Sequence, residues 1–269
     1  MLAFFRRMIR DKYKAFIAYV ASAVALLEMY VALYPSLQQQ AAQIDQMMKS
    51  FPPELFSAMN MDASALSFST LESYLSTEYM SFLWPILAII FAISIAHYIS
   101  VNEIDRGTIE TLASLPTSRI RIFVERYFAG LLIITAFAVI SLLGIIPLAG
   151  MHGIDYVLAN YLTAAGGSFL FIWAVYSLAV LVSVIFSEKG KASMVTGGIL
   201  TLMYVLSIIS SLKDGLKNLQ YLSFFHYFSG TDLLAKNAIP DYMVLALGGF
   251  AVVASVVALM IFRKRDLSV

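Results

Sequence analysis

The sequence contains no cysteine, which excludes disulfides, thiolate metal sites and cysteine nucleophiles together. Charge is scarce as well. Charged residues make up 13% of the 269 and hydrophobic residues 60%, against roughly a quarter and a half in ordinary globular proteins. A chain with so little polar surface cannot hide its apolar side chains in one core, so lipid must serve as its solvent. The formal net charge of +1 gives no basis for nucleic-acid binding. No Gly-x-x-x-x-Gly-Lys-Ser/Thr loop occurs: Gly190 and Lys191 lack both the upstream glycine and the following hydroxyl. The histidines His97, His152 and His226 are far apart and form no His-Glu-x-x-His pattern, so neither a catalytic nor a metal site is expected. The first apolar run is too long for a signal peptide and lacks a small-x-small exit.

What the sequence does have is apolar length. Six stretches reach the roughly 20 residues that a ~30 Å hydrocarbon layer requires of a helix. They lie near Ala15–Tyr34, Met80–Ile99, Tyr127–Gly150, Tyr161–Phe186, Ala192–Leu212 and Tyr242–Phe262. A barrel would need period-two alternation, and the run Leu131–Leu143 has none. The expected fold class is therefore all-α, a polytopic membrane protein of six transmembrane helices with short cytoplasmic helices. With no repeat and no low-complexity linker, residues 1–269 read as a single transmembrane domain.

Basic residues set the expected orientation. Arg6, Arg7, Arg10, Lys12 and Lys14 precede the first span, and Arg106, Arg119, Arg121 and Arg126 lie between the second and third. Lys189 and Lys191 join the fourth and fifth spans, and Arg263, Lys264 and Arg265 follow the sixth. The alternate loops hold only Lys49, Lys213, Lys217 and Lys236. Both termini are thus expected in the cytoplasm, and an even number of spans agrees with that.

The connections carry further patterns. Residues 1–14 place Leu2, Phe5, Met8 and Ile9 on one face and Arg6, Arg7 and Arg10 toward the other. That is an amphipathic cytoplasmic helix suited to the headgroup plane or to a partner, or else a charged anchor that sets topology. In the long outside loop 35–79, Leu37, Ala41, Ile44, Met48 and Phe51 recur at helical spacing. Pro52 and Pro53 end that pattern, and Ser69, Thr70, Leu71 and Glu72 form a capping-box signature for a second helix. The last outside loop, Lys213–Asp241, is dense in aromatics (Tyr221, Phe224, Phe225, Tyr227, Phe228). That density suits a membrane interface or a short re-entrant segment.

The segment 102–126 is the most informative. Gly107 permits a break after the second span, and Thr108 caps a new short helix. Glu110 then stands in the first turn of that helix, where the helix dipole favours a carboxylate. Ile109, Leu112 and Leu115 recur every three residues as a narrow apolar ridge. Pro116 stops the helix, and Thr117 or Ser118 caps the third span. Either the base of the bundle or a soluble partner must cover this ridge.

The run Glu103–Arg119 resembles the coupling-helix region of the type-2 permease family of ATP-binding-cassette transporters. Members show a similar acidic-x-x-Arg-Gly-Thr-x-Glu-x-Leu…Leu-Pro-x-Ser-Arg pattern between the second and third spans. The six-span layout, the amphipathic N-terminus, the large first outside loop and the aromatic segment Tyr221–Gly230 fit the same family. The resemblance implies that Glu103, Asp105, Arg106, Gly107, Thr108 and Glu110 belong to a coupling region that docks on a separate cassette ATPase subunit. It implies a second permease copy or paralogue, ATP and Mg bound only on the partner ATPase, no cofactor in this chain, and residence in a prokaryotic plasma membrane. Export is the expected direction, and the chain itself is not expected to be an enzyme.

Two further signals weigh against that reading or beside it. Glu28 reads as the one clear carboxylate inside a span, and intramembrane carboxylates often serve as ion ligands or proton carriers. The alternative function is accordingly an ion-coupled secondary carrier using Glu28, and a third class is a membrane sensor or scaffold. Met47, Met48, Met59 and Met61 cluster outside, where thioethers suit Cu(I) but equally fill adaptable apolar surface. The small residues Gly166, Gly167 and Ser168, and the pairs Gly197–Gly198 and Gly248–Gly249, read as sites of close helix packing.

Overall fold

A computed structural model describes residues 3–38, 40, 70–105, 117–212 and 214–265. Six helices among them are long and apolar enough to cross a membrane. They are Ala3–Gln38, Leu71–Ala96, Arg119–His152, Leu158–Ile185, Lys189–Leu212 and Val244–Lys264, named below as the first to sixth spans. The protein is all-helical and multi-pass. Helices satisfy every backbone group within the segment, which is what lipid demands of a chain whose apolar runs lack strand alternation.

The fourth span is the centre of the bundle. In its most apolar stretch 72% of residues are buried, against 17% in the first and the fifth. It packs on the second, third and sixth spans, and the first span packs chiefly along the third. Two buried aromatics tie the first three spans together through polar atoms. Tyr79 Oη donates to Ala23 O at 3.2 Å, and Trp84 Nε1 donates to Ser141 Oγ at 2.8 Å. Between the third and fourth spans, Trp173 Nε1 donates to Tyr127 Oη (2.9 Å) and Tyr176 Oη donates to Tyr127 O (3.2 Å). A Cβ at Gly130 would overlap Tyr176 Oη, so the absence of a side chain there is what admits the tyrosine.

Several boundaries differ from the sequence reading, each for a local reason. The amphipathic stretch and the first span form one unbroken helix, Ala3–Gln38, with Pro35 in its last turn. The second span starts at Leu71 rather than Met80. Thr70, not Ser69, is its cap, accepting from Ser73 N at 3.2 Å. The Glu72 carboxylate reaches across to Val157 N at 2.7 Å, at the entry to the fourth span. The π-helical stretch Ser76–Leu83 then leads into the regular helix Trp84–Ala96. Ser118 caps the third span as expected, accepting from Arg121 N at 3.3 Å.

The aromatic connection after the fifth span is packed onto the bundle. A 3-10 stretch, Asp214–Leu222, precedes the short helix Phe224–Tyr227 and the π-helical turn Thr231–Ala235. Phe224, Phe228, Leu233 and Leu234 are buried. Phe228 stacks on Trp84 and lies 4.6 Å, centroid to centroid, from Phe171. Of the small residues read as packing sites, Gly167 meets Leu233, whereas Gly166, Gly197, Gly198 and Gly249 have open space where a Cβ would project.

Candidate functional site

Two ends of the bundle carry polar structure. At the end holding the basic residues, the second span stops at Ala96 and the chain turns through residues 97–100 into a short helix, Val101–Asp105. That helix leads directly to the segment expected to couple. Of the expected site residues, Glu103 and Asp105 are described, while Arg106, Gly107, Thr108, Ile109, Glu110, Leu112 and Leu115 lie outside the described residues.

Arg126, in the second turn of the third span, is fully buried and reaches this turn from the side. Its Nη1 donates to Tyr98 O at 3.0 Å and Ile99 O at 3.1 Å. Its Nη2 donates to Glu103 Oε1 at 2.8 Å, forming an ion pair with a carboxylate that is itself largely buried. The guanidinium carbon stands 5.0 Å from the centroid of the Tyr98 ring. A buried guanidinium is costly unless paired and hydrogen-bonded; three acceptors and an aromatic face compensate its two Nη groups here, while Nε finds no acceptor among the described residues. The two carbonyls belong to the turn just beyond the C-terminal end of the second span, where the helix dipole favours a cation.

Neighbouring contacts extend the cluster to the other spans. Tyr98 Oη donates to Asp11 Oδ2 at 2.6 Å, and Lys12 Nζ donates to Ser94 O at 3.2 Å, both joining the first span. Val101 N donates to Ser183 Oγ (3.4 Å) on the fourth span, and Lys189 N donates to Asp105 Oδ1 (3.3 Å) at the start of the fifth. Burial first, then the Asp11 hydrogen bond and charge, push the Tyr98 hydroxyl up to about 12. His97 is buried with Nε2 at 3.4 Å from Ser193 Oγ. Burial, aided by the Lys189 and Lys12 charges and opposed by Asp105, lowers it to about 4, so this imidazole is neutral at physiological pH.

Arg265 closes the same end. Its guanidinium donates to Val184 O (2.7 Å), Phe186 O (3.2 Å) and Ser187 Oγ (2.8 Å), capping the fourth span, while its own carbonyl accepts from Arg119. Glu125 takes Phe4 N at 3.0 Å and Arg121 Nε at 2.8 Å.

The opposite end holds Glu28. Its Oε1 lies 2.7 Å from His152 Nε2, a half-exposed pair linking the first and third spans. It is not the one carboxylate within the spans: Glu72 and Glu78 fall in the second and Glu125 in the third. A polar cavity of about 480 Å³ lies beside the pair, lined by residues that include Tyr34, Glu72, His152, Asp155 and Tyr156. An apolar groove of about 270 Å³ runs between the second and fifth spans, with Pro85, Ile89, Leu200 and Tyr204 among its walls. The described residues contain no cluster of three or more histidines and carboxylates able to hold a metal ion. Of the amphipathic pattern expected on Leu37, Ala41, Ile44, Met48 and Phe51, Leu37 falls in the last turn of the first span; the other four, with Met47, Met59 and Met61, lie outside the described residues.

Sequence reading misses Arg126 as a structural residue, because a basic residue at the mouth of a span counts first as a topology signal. Its position immediately before the apolar run from Tyr127 is the available sign that it enters the bundle. Glu72 and Glu125 escape for a related reason: in a linear reading a charged residue marks a span boundary. Their partners, Val157 and Phe4, are remote in sequence.

The geometry describes a bundle of six apolar helices with a polar joint at one end. The family model described as ABC-2 family transporter protein matches residues 5–267. No protein of curated function matches the chain significantly.

Proposed function

The chain belongs to the ABC-2 transporter family, and from that premise we propose that it is the membrane-spanning permease subunit of an ATP-driven exporter. The observation that carries this reading is the family match over nearly the whole length. Three features agree with it. The sequence has no phosphate-binding loop of its own, so hydrolysis belongs to a separate cassette ATPase that holds ATP and Mg. The sequence pattern of Ile109, Leu112 and Leu115 with Arg106, Gly107, Thr108 and Glu110 is that of a docking segment, and Glu103 and Asp105 lie at its root. The first and fifth spans leave most of their apolar surface uncovered, which lipid and a second permease, a copy or a paralogue, would share.

In this reading the chain lies in the plasma membrane of a prokaryote with both termini in the cytoplasm, and the Glu28–His152 pair lies at the outer end. Glu28 then acts as an interhelical tie. A carrier driven by ion flux concentrates ionisable groups and broken helices near the midplane, and an end-of-bundle pair is a poor match to that pattern.

The deciding experiment is affinity purification of the chain from its native membrane with Mg-ATP hydrolysis measured on the eluate. A cassette ATPase is expected in stoichiometric amount, with vanadate-sensitive turnover. A chain that purifies without any such subunit, and transports under an ion gradient alone, would overturn the reading. Orientation is tested by impermeant thiol labelling in this cysteine-free background. Met151→Cys, at an exposed site, is expected to label from outside intact cells and Gly190→Cys only after lysis.

A further inference from the structure

We propose that Arg126 is a positioning residue that makes the coupling segment and the transmembrane bundle move as one body. This rests on the permease reading above and deepens it, by naming the group through which force from the ATPase would reach the spans.

The segment expected to dock on the ATPase is joined to the bundle at two points, the short helix Val101–Asp105 before it and the third span after it. Displacement of a docking segment reaches the spans only as far as its two roots move together with them. Arg126 couples those roots. From the third span it grips the opposite side of the connection, at Tyr98 O, Ile99 O and Glu103. Both roots of the segment are thereby bonded to each other inside the bundle.

The short helix is held from other directions too. Ser183 of the fourth span accepts Val101 N, and Asp105 accepts Lys189 N of the fifth. Tyr98, whose ring faces the guanidinium, is bonded to Asp11 of the first. Arg126 makes the central contact in this set, and its guanidinium is the part with no flexible alternative. A planar fork satisfies two carbonyls and a carboxylate at once, whereas a lysine ammonium is a point charge with a different reach. A role in topology alone would need a positive charge near the interface, not a fully buried side chain aimed at three acceptors.

The test uses the permease–ATPase complex in lipid nanodiscs, with Mg-ATP as the probe and three variants. Arg126→Leu is expected to retain the ATPase, because the ridge is untouched, while permease-dependent turnover falls about tenfold or more, the scale on which misplacement acts. The loss should fall on kcat, with the KM for ATP unchanged, because the nucleotide sits on another chain. Arg126→Lys should recover part of the turnover, and Glu103→Gln, which keeps an acceptor but removes the charge, should lose several-fold.

If Arg126→Leu does not accumulate in the membrane, the Lys and Gln variants decide. Unchanged turnover in Arg126→Leu, or in both milder variants at normal abundance, overturns the proposal. Dissociation of the ATPase from Glu103→Gln also overturns it, since that would make the cluster a docking surface. A wild-type complex that contains no ATPase would instead defeat the permease reading itself.

Discussion

The carboxylate of Glu125 accepts the backbone N–H of Phe4 at 3.0 Å, so the N-terminus of the first span is capped by a side chain of the third. Helix N-termini leave donors without intrahelical partners, and here a buried carboxylate also paired with Arg121 supplies the acceptor. Phe4 is buried with Ile122 in a small cluster beside Ile104. The beginning of the first helix is therefore docked onto the protein, which a surface-lying amphipathic helix would not be.

Replacing that carboxylate should loosen the docked end. Glu125→Ala is expected to cost about 1–3 kcal/mol by leaving a buried donor unsatisfied. Faster amide exchange over residues 4–8 and a lower melting temperature in detergent are the checks. Glu125→Gln, which keeps an acceptor oxygen, should be milder. Equal exchange in all three proteins would show that the contact contributes nothing to the docking of the helix.

The close approach of Tyr176 to Gly130 gives a second expectation. Gly130→Ala drives a methyl group into Tyr176 Oη, and overpacking of this kind typically costs about 1–3 kcal/mol. Combining it with Tyr176→Phe should recover part of the loss, since the nearest clashing atom is then absent. Thermal unfolding of the four proteins of this double-mutant cycle measures the coupling. Strict additivity would mean that the two sites do not meet.

His97 makes stability depend on pH. Its folded-state value is lowered to about 4, by burial first and by Lys189 and Lys12 next, while an unfolded histidine titrates near 6.5. The unfolded chain therefore takes up the proton first as the medium is acidified. The stability that the neutral imidazole retains is fully present above about pH 6.5 and is lost as pH falls toward about 4. The melting temperature is expected to drop across that window, and His97→Gln should flatten that part of the profile. An identical acid-side profile in the variant would remove His97 as the cause.

The six spans are legible in the sequence because bilayer thickness imposes a length that no soluble element needs, and apolar runs report it directly. Their ends are not, and the residues responsible share one property. Glu72, Glu125 and Arg126 are charged side chains inside or at the mouth of spans, each satisfied by a partner far along the chain: Val157, Phe4 and Glu103. A linear reading sees the charge and stops the span, because it cannot see the acceptor or donor that makes the charge tolerable. The aromatic density of residues 221–228 signals packing at the bundle, but the pairing of Phe228 with Trp84 and Phe171 depends on how three separate spans converge. The glycine pairs divide: Gly248 lies against Leu170 and Trp173, whereas Gly197 and Gly198 in the exposed fifth span face no close neighbour among the described residues.

The ridge of the coupling segment carries a further expectation. Leu112→Asp places a carboxylate on the apolar line of Ile109, Leu112 and Leu115. Burying that carboxylate against a partner without a counter-charge costs several kcal/mol, or else the group must stay protonated, and either outcome weakens docking. Membrane insertion should survive, because Leu112 belongs to a connection between spans. Glu110→Ala removes only a first-turn carboxylate, worth roughly 0.3–1 kcal/mol to the helix through its dipole, and should be the milder change unless Glu110 also pairs with a basic group on the ATPase. This defect differs in kind from that expected at Arg126: Leu112→Asp should lose the ATPase from the complex, whereas Arg126→Leu should keep it and lose turnover. Quantifying the co-purified ATPase beside the hydrolysis rate, with permease abundance as control, separates the two. Undiminished attachment in Leu112→Asp would mean that the ridge is covered by the bundle and that docking lies elsewhere on the chain.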